Sequence, residues 1–269
     1  MPAVKEYYCP PDLYDVIYSD VRDDIPFCVG EARAARGGVL ELACGTGRVL
    51  IPCLEAGAPI EGLDITEVMV GYLKEKLGAR GLKAEIAVGD MRDFTRPHRY
   101  SLIFIAFNSF LHNLTAADQL ATLRCCREHL ESDGKLVINF FHPDSRKLIE
   151  HDGVPRVIKT VPYAPVAVAS GAAPGWQARV TDAGRCDPVE QHIWITRQVE
   201  LIDPADRVAR THDLAFELRY IYKPEMELLL TLAGFKRFAA EPRTGYAAGF
   251  APKPGPEEGD SLVWSAWKE

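Results

Sequence analysis

Short apolar segments alternate with helical segments between residues 39 and 141, and this alternation constrains the fold more than any other feature. The predicted strands are VLEL, PIEGLD, KAEIAVGD, YSLIFIAFN and KLVINFF. The predicted helices are RVLIPCLEAG, TEVMVGYLKEKLG and AADQLATLRCCREHLESDG. Strands separated by helices form βαβ units with parallel strands. The sequence therefore predicts an α/β fold with a Rossmann-like, doubly wound, mostly parallel sheet, which reaches seven strands with the two C-terminal strands.

The segments on either side of this core differ in character. Two short helices are predicted within residues 10–36, the second ended by Gly37-Gly38. From about residue 151, segments rich in β-branched and aromatic residues predict an antiparallel β insertion, with turns at 182–184 and 203–204. The helix KPEMELLLTLAGF and the strands FKRFAAE and DSLVWSAWK complete the core, and PRTGYAAGFAPKPGPEEGD is predicted to be a loop.

We divide the chain accordingly. The predicted parts are an N-terminal helical cap (1–36), a Rossmann-like core (37–150), the antiparallel β insertion (151–222), and a C-terminal helix with the closing strands of the core (223–269). Within the core, we predict that Thr66 and Gly78 cap the helix TEVMVGYLKEKLG at its two ends.

Composition excludes several functional classes. The net charge of −7 over 269 residues argues against nucleic-acid binding, which requires a basic surface. The seven cysteines form no CxxC pair, so we expect reduced, buried thiols and no bound metal. The first residues, MPAVKEYYCPPD, contain no apolar run typical of a signal peptide, and no stretch is long enough to span a membrane. We therefore expect a cytoplasmic protein, monomeric or homodimeric.

A glycine loop follows the first strand directly, in VLELACGTGR. Gly45 and Gly47 allow a sharp turn and a close approach of a ligand to the main chain. The helix predicted to start at Arg48 should point its first N–H groups at that ligand. No Gly-Lys-Ser/Thr follows, which excludes a Walker A loop, and Leu50 replaces the third glycine of GxGxxG, which disfavours a dinucleotide.

Acidic residues end three consecutive predicted strands. Glu41 lies at the end of the first, where it suits a ligand's ammonium or hydroxyl groups better than a pyrophosphate. Asp64 ends the second, in the position that accepts hydrogen bonds from ribose hydroxyls. Asp90 ends the third and can accept from an adenine amino group, with Met91 packed on the ring. Each alone has a structural alternative, as a strand cap, an N-cap or a turn residue, but together they fit a positively charged adenosine ligand without phosphate.

These motifs resemble those of class I S-adenosylmethionine (SAM)-dependent methyltransferases. ELACGTGR, GLDIT and GDMRDF, in this order and spacing, most resemble small-molecule enzymes that carry LDVACGTG and GDMRDF motifs, such as glycine N-methyltransferase and amino-sugar N,N-dimethyltransferases. Asp is commoner in such motifs at the position of Glu41. The resemblance covers about residues 36–141 and implies that SAM binds the core, leaving S-adenosylhomocysteine as product. The cofactor-binding residues that it implies are Glu41, Ala43, Gly45, Gly47, Arg48, Asp64, Ile65, Asp90, Met91, Arg92, Phe107 and Tyr18.

Catalytic candidates follow from the expected position of the methyl group, at the exit of the fourth strand. His112 is the best base by position, with packing as the alternative, and His142 is a second candidate. Tyr14 and Tyr18 share a helix face. The resemblance implies that such a tyrosine helix closes over the cofactor, with Tyr14 as a catalytic candidate, and core packing is the alternative.

The acceptor is predicted to lie against the insertion, whose candidate lining is Trp194, Arg219 and Tyr220. Arg219 is a candidate for binding a carboxylate or phosphate of the substrate, and the alternative is that it lies on a solvated or salt-bridged face. The sequence thus predicts transfer of a methyl group to a nitrogen or oxygen of a small-molecule acceptor. The alternatives are a nicotinamide-dependent oxidoreductase, which the missing third glycine disfavours, and a SAM-binding or scaffold protein without turnover.

Overall fold

The computed structural model describes residues 9–144, 148, 153–163, 175–243 and 261–268. The chain divides into two compact units. One contains the described residues of Arg22–Ser145 and Arg219–Glu269, and the other contains those of Met1–Val21 and Arg146–Leu218.

The first unit, which we call the core unit, contains a seven-stranded sheet in the order β10-β11-β5-β4-β1-β2-β3. Its strands are β1 (Val39–Leu42), β2 (Ile60–Asp64), β3 (Ile86–Val88), β4 (Tyr100–Ile105), β5 (Leu130–Phe141), β10 (Arg237–Arg243) and β11 (Ser261–Trp267). Its helices are α2 (Ile25–Ala34), α3 (Leu50–Glu55), α4 (Glu67–Ala79), α5 (Ala116–His129) and α6 (Lys223–Leu232), with a 3-10 turn at Ser109–His112.

The five strands from β1 to β5 run parallel, and β11 pairs antiparallel with both β5 and β10. Successive strands are added in one direction from β1 to β3 and in the other from β4 to β5, so the strand order switches between the parallel neighbours β1 and β4. The carboxyl ends of β1, β2, β3 and β4 therefore meet at one edge of the sheet, where ligands bind in such folds. The predicted fold class is confirmed.

The core is built on the central strand β1, all four residues of which are buried. Neighbouring strands cover both its edges, and an apolar cluster that includes Cys28, Cys44 and Cys53 packs against it. In the described part of the chain no two cysteines form a disulfide, and six of them are buried and Cys186 is half-buried, as expected of thiols that pack as small apolar side chains.

The second unit, which we call the β unit, contains α1 (Pro11–Ile17) and a four-stranded sheet in the order β6-β7-β8-β9. The strands are β6 (Arg156–Pro162), β7 (Gln177–Asp187), β8 (His192–Ile202) and β9 (Val208–Arg219, whose last residue belongs to the core unit). β6 with β7 and β7 with β8 pair antiparallel, which confirms the antiparallel insertion.

One predicted turn in this sheet is wrong. Residues 182–184 continue β7, because they pair with residues 195–197 of β8 without interruption. The chain reverses instead around residues 188–191. There Asp187 accepts hydrogen bonds from the N–H groups of Val189 and Glu190, at 2.9 and 3.1 Å, and Gln191 takes a left-handed φ of 61°. The chain therefore turns after Asp187, whose side chain stabilises the turn, and not at Asp182-Ala183-Gly184.

Several predicted boundaries also shift. The helix after the glycine loop begins at Leu50, two residues later than predicted. Thr66 is the N-cap of α4 as predicted, but its C-cap is Arg80 rather than Gly78. LESDG, predicted as the end of α5, forms the start of β5, because Tyr100 at the start of β4 pairs with Leu130. The predicted loop of residues 242–260 lies mostly outside the described residues, as does the part of the insertion at 164–174.

Candidate active site

The loop after β1 turns through a series of left-handed residues. Ala43, Gly45 and Gly47 have φ angles of 55°, 52° and 85°. The Cys44 N–H donates to the Leu63 carbonyl at 3.1 Å, and the Gly47 N–H donates to the Cys44 carbonyl at 2.9 Å. These bonds tie the loop to β2 and to itself, so its shape is fixed by the backbone.

The two loop glycines differ in their surroundings. A Cβ on Gly45 would meet no atom within 4 Å, whereas a Cβ on Gly47 would lie 2.4 Å from Leu73 Cδ1 and 3.1 Å from Ile51 Cγ1. Gly47 therefore allows α3 and α4 to pack closely against the loop. Gly45 leaves open space, in which a ligand has room to approach the main chain.

Glu41 occupies the third position of β1 and is only 4% exposed. The backbone N–H of Leu50, the first residue of α3, interacts with the Glu41 carboxylate and limits the rise of its pKa. One carboxylate oxygen, Oε2, is buried without a hydrogen-bond partner among the described residues. Burial raises the pKa of Glu41 to about 8, opposed by Arg48 and reinforced by Asp24 and Asp64. Such an acid favours a cationic partner.

Asp64 links the ends of β1 and β2. Its Oδ2 accepts from the Gly45 N–H at 2.7 Å and its Oδ1 from the Thr66 N–H at 2.8 Å. The residue is 7% exposed, and burial raises its pKa, although the hydrogen bonds from Thr66 and Gly45 oppose the rise. Each carboxylate oxygen keeps a second lone pair, so Asp64 retains capacity for a ribose hydroxyl.

Asp90, just beyond the end of β3, has an ionic partner of its own. The Arg92 side chain donates to both carboxylate oxygens, with Nε 3.0 Å from Oδ1 and 2.9 Å from Oδ2, and the Arg92 N–H donates to Oδ1 at 2.9 Å. Arg92 also reaches Asp118 on α5 at 2.9 Å. Burial alone would raise the pKa of Asp90, but the bonds from Arg92 outweigh it and lower the pKa.

Met91 is held by a contact with Asn113. Asn113, 5% exposed, donates from Nδ2 to the Met91 sulfur at 3.4 Å and accepts at Oδ1 from the Thr122 hydroxyl at 3.1 Å. Asn113 was not among the predicted site residues, since nothing in its local sequence indicates this contact. Ile65 and Val88, beside Asp64 and at the end of β3, are each 53% exposed, which leaves apolar surface for an adenine ring.

Arg48 forms a buried ion pair that the sequence does not predict. Its guanidinium donates to both carboxylate oxygens of Asp24, at 2.6 and 2.7 Å, and Asp24 is fully buried. The guanidinium also lies over the ring of Phe107, 4.6 Å from its centroid. Arg48 thus connects the residue before α2 with the exit of β4, and its charge is largely balanced by Asp24.

The exit of β4 is a second left-handed turn, formed by Phe107 and Asn108 with φ angles of 55° and 64°. Asn139 on β5 holds it in place: its side-chain oxygen accepts from the Phe107 N–H at 2.8 Å and its carbonyl from the Asn108 N–H at 3.1 Å. Asn108 Oδ1 in turn accepts from the Phe141 N–H at 2.8 Å. Non-glycine residues in this conformation cost about 1 kcal/mol each and cluster at functional sites.

The remaining predicted residues of the core unit are placed as follows. His112 ends the 3-10 turn and is exposed, and His142 is half-buried just after β5. Arg219 takes the salt-bridged alternative, because it is buried and donates to Gln119 at 2.8 Å and Glu225 at 2.6 Å. Tyr220 is fully buried.

Tyr14, Tyr18 and Trp194 belong to the β unit. The two tyrosine rings lie 4.6 Å apart, which confirms that they share a helix face. The Tyr18 hydroxyl accepts from Arg197 at 2.6 Å, and Arg197 is itself paired with Asp182 at 2.7 Å. Trp194 is 38% exposed. The catalytic and cofactor roles given to the tyrosines remain predictions.

A groove of about 740 Å³ lies beside the Asp90 loop. It is lined by residues 92–99 and by the second half of α5, and among the predicted cofactor residues it contains Arg92. The strand-end acids do not line it, so the groove shares only Arg92 with the predicted cofactor site. In the part of the chain that the structure describes, no group of His, Cys, Asp and Glu is arranged to hold a metal ion, and no helix is long and apolar enough to cross a membrane.

Comparisons with known proteins agree with this geometry. Residues 39–134 match the family model of the methyltransferase domain. A dTDP-3-amino-3,6-dideoxy-alpha-D-glucopyranose N,N-dimethyltransferase of Streptomyces fradiae is 23% identical over 237 residues, which cover 83% of this chain and 82% of that protein.

Two solved structures have similar folds. The CcbJ methyltransferase of Streptomyces caelestis has a TM-score of 0.70 at 24% identity, covering 91% of this chain and 89% of its own. The amino pentose methyltransferase CalS10 of Micromonospora echinaspora has a TM-score of 0.70 at 18% identity, covering 95% and 96%.

The matched segment runs from β1 into the start of β5 and contains nearly all the predicted cofactor residues. The chain therefore carries a methyltransferase domain of the class I fold and is a SAM-dependent methyltransferase, as predicted. The comparisons give no support to the oxidoreductase alternative.

Proposed function

We propose that this methyltransferase acts on an amine nitrogen of a small molecule of the amino-sugar class. The observation that carries the proposal is the similarity to the Streptomyces fradiae dimethyltransferase, which extends over 83% of this chain and so reaches well beyond the cofactor-binding segment. A similarity confined to residues 39–134 would support only the assignment of the cofactor and would say nothing of the acceptor. The same similarity favours nitrogen over oxygen as the methylated atom.

The strand-end residues fit the cofactor. The unpartnered oxygen of Glu41 suits the cationic methionine end, Asp64 has lone pairs for the ribose, and Ile65 with Met91 offers apolar surface to the adenine. When bound, SAM supplies a methyl group on a positively charged sulfur. We propose that Ala43, Gly45, Gly47, Arg48, Asp90, Arg92 and Phe107 complete the cofactor site.

The acceptor nitrogen reacts only as a free amine, because its lone pair forms the new N–C bond. As that bond forms, the C–S bond breaks, its electron pair stays on sulfur, and the nitrogen then loses a proton. Positioning and the exclusion of water carry most of such a displacement. A base near the acceptor would keep the amine neutral. His112, exposed at the exit of β4, is our candidate for this base, with Tyr14 as the second.

We further propose a division of labour along the chain. Residues 37–150 with 223–269 bind SAM, and α1 and residues 151–222 recognise the acceptor. The structure supports a link between the last two segments, because α1 and the antiparallel sheet belong to one compact unit and Tyr18 is hydrogen-bonded to Arg197. A monomer or homodimer without nucleic acid as a partner accords with the acidic composition.

The main test uses the intact protein with SAM and matched pairs of acceptors. Each pair consists of an amino sugar, free or linked to dTDP, and the same sugar with a hydroxyl in place of the amine. We expect mass spectrometry to detect one or two added methyl groups on the amino sugars and none on the hydroxyl counterparts. Methylation of the hydroxyl compounds alone would refute the choice of nitrogen.

A second test addresses the division of labour. Residues 155–215 are replaced by a Gly/Ser linker, and residues 1–21 are removed with them because α1 belongs to the same unit. We expect SAM affinity to change by only a few-fold and methyl transfer to be abolished. Loss of SAM binding in a variant with an intact α/β circular dichroism spectrum would contradict the proposed roles.

A further inference from the structure

We propose that Glu41 exchanges a proton for a cationic group of the ligand, so that SAM binding releases a proton from the buried end of β1. The inference rests on the proposed cofactor site. It assigns Glu41 a specific role there: it makes affinity depend on the positive charge of the ligand, and not only on its shape.

The geometry supports this exchange. Glu41 is 4% exposed, and its Oε2 is buried without a hydrogen-bond partner among the described residues. A buried ionised carboxylate with a free oxygen is costly, whereas the protonated acid is tolerated in a dry site. In the absence of a cation, the protonated form is therefore favoured, and the pKa of Glu41 rises to about 8 through burial.

The charged neighbours of Glu41 do not supply the missing cation. Arg48 lowers the pKa of Glu41, but both carboxylate oxygens of Asp24 already engage the guanidinium of Arg48. Asp64, from β2, adds a second negative charge. Ionised Glu41 would thus complete a cluster of three carboxylates and one guanidinium.

Among the described residues, three thiols also interact with Glu41. Cys28 on α2, Cys44 in the glycine loop and Cys53 on α3 each have a pKa raised by burial, so they remain neutral at physiological pH. Across the sheet, Glu41 pairs in register with Gly62 on β2 and Phe104 on β4, neither of which titrates. A ligand that brings positive charge to Oε2 therefore has no competitor among these groups.

The exchange predicts a pH-dependent affinity with a definite sign. A ligand that requires ionised Glu41 must displace its proton, so the Kd for SAM should fall as the pH rises towards 8. The linkage relation gives close to one proton released per SAM, and about a tenfold gain in affinity per pH unit, below the pKa of Glu41. The ligand's own α-amino group titrates at about 7.7–8.0. Measurements between about pH 6.0 and 6.7, a full unit or more below that value, keep that contribution small.

Two cations in SAM qualify, the sulfonium and the α-ammonium. S-adenosylhomocysteine keeps the ammonium and lacks the sulfonium, so it separates the two. If it releases a proton as SAM does, the ammonium is the group recognised by Glu41. If only SAM releases a proton, it is the sulfonium, and the site then discriminates substrate from product increasingly well as the pH rises.

The experiment is isothermal titration calorimetry of the full chain with SAM in buffers of different ionisation enthalpy. The wild type should release close to one proton at pH 6.5. Glu41→Gln, whose amide cannot ionise, should release none and bind with an affinity nearly independent of pH. Asp64→Asn is the matched control for the neighbouring buried acid: it should bind more weakly and still release a proton.

SAM binding by the wild type without proton release would overturn the inference and leave the proposed function intact. Proton release that persists in Glu41→Gln and disappears in Asp64→Asn would also overturn it, because Asp64 would then be the source. Absence of SAM binding in every variant, wild type included, would refute the cofactor site and the inference with it. If Glu41→Gln fails to fold, the wild type and Asp64→Asn decide together, because a proton still released by Asp64→Asn cannot come from Asp64.

Discussion

Glu41 and Asp90 lie at the ends of two strands of the same sheet, yet their carboxylates are in opposite states. Glu41 is buried, with one oxygen unpartnered and its pKa raised to about 8. Asp90 is half-buried, bonded at both oxygens by Arg92, and its pKa is lowered. Among the described residues, Glu41 Oε2 therefore lacks a hydrogen-bond partner, whereas both oxygens of Asp90 are paired with Arg92.

The two strand ends are also fixed by different means. At the end of β1 the loop is held by its backbone, by left-handed residues and by the close packing around Gly47. At the end of β3 the loop is held by the salt bridges of Arg92 with Asp90 and Asp118. Substitutions should therefore affect stability most at the first site, whereas at the second their effects should be small and sensitive to salt.

The largest effect is expected for Gly47→Ala. A Cβ there would lie 2.4 Å from Leu73 and would have to accept a φ of 85°. Overpacking and the left-handed backbone should together lower the free energy of unfolding by about 3–4 kcal/mol. Gly45→Ala is the matched control, since it has a similar φ and open space, and should lose about 1–2 kcal/mol. Equal losses in urea denaturation would show that packing is not the difference.

The next effect is on the pH dependence of stability in the ligand-free protein. Because the folded pKa of Glu41 is raised from 4.5 to about 8, its stabilising contribution is complete below about pH 4.5 and is lost as the pH rises through 8. Asp90 has the opposite sign, with a contribution that is lost as the pH falls through its lowered pKa.

We therefore expect the wild type to lose about 2–4 kcal/mol of stability between pH 5 and pH 9 through Glu41. Glu41→Gln should lose much less, with the remainder due in part to Asp64, whose pKa is also raised. Urea denaturation at a series of pH values measures this. Parallel curves for the two proteins would mean that Glu41 is ionised in the folded state.

Cofactor affinity should depend strongly on Asp64, which ends β2, the strand between β1 and β3. Asp64→Ala removes the predicted ribose acceptor and also the acceptor for the Gly45 and Thr66 N–H groups. We expect calorimetry to show SAM binding weakened about 10- to 100-fold. A folded variant with unchanged affinity would refute the ribose assignment.

A smaller loss is expected at Asp90. Asp90→Asn keeps a carbonyl for the adenine amino group but breaks the ion pair with Arg92, which retains Asp118. We expect SAM to bind about 3- to 10-fold more weakly, a change of about 1 kcal/mol. Asp90→Ala should cost more than Asp90→Asn. Wild-type affinity in both variants would place the adenine elsewhere.

The contrast between the two strand ends also marks the limit of sequence reasoning. The alternation of strand and helix patterns, with the turn residues between them, places Glu41, Asp64 and Asp90 at strand ends. Because the parallel sheet brings those ends together, the site could be located from the sequence. The partners that determine the state of each acid come from elsewhere in the fold. Arg48 pairs with Asp24, 24 residues earlier, and Arg92 with Asp118, 26 residues later, and neither pairing has a local signal.

The same limit applies to the strand boundaries. Leu130 begins β5 although the helical pattern of α5 runs on past it, because pairing with Tyr100 on β4 outweighs local propensity. In the antiparallel sheet, the turn predicted at residues 182–184 is replaced by continued pairing with β8. In both places, hydrogen bonds to another strand outweigh the local sequence pattern.

The smallest effect is expected at Ala43, where the β1 loop uses a left-handed residue with a side chain. At a φ of 55° glycine avoids a steric cost of about 1–2 kcal/mol, and part of that gain is offset by its greater flexibility in the unfolded chain. We therefore expect Ala43→Gly to raise the free energy of unfolding by about 0.5–1 kcal/mol, measured by urea denaturation. Asp24→Asn, which disturbs the loop only through Arg48, should instead destabilise it. A loss of stability in Ala43→Gly would mean that the Ala43 methyl group makes a packing contribution larger than the strain of its backbone.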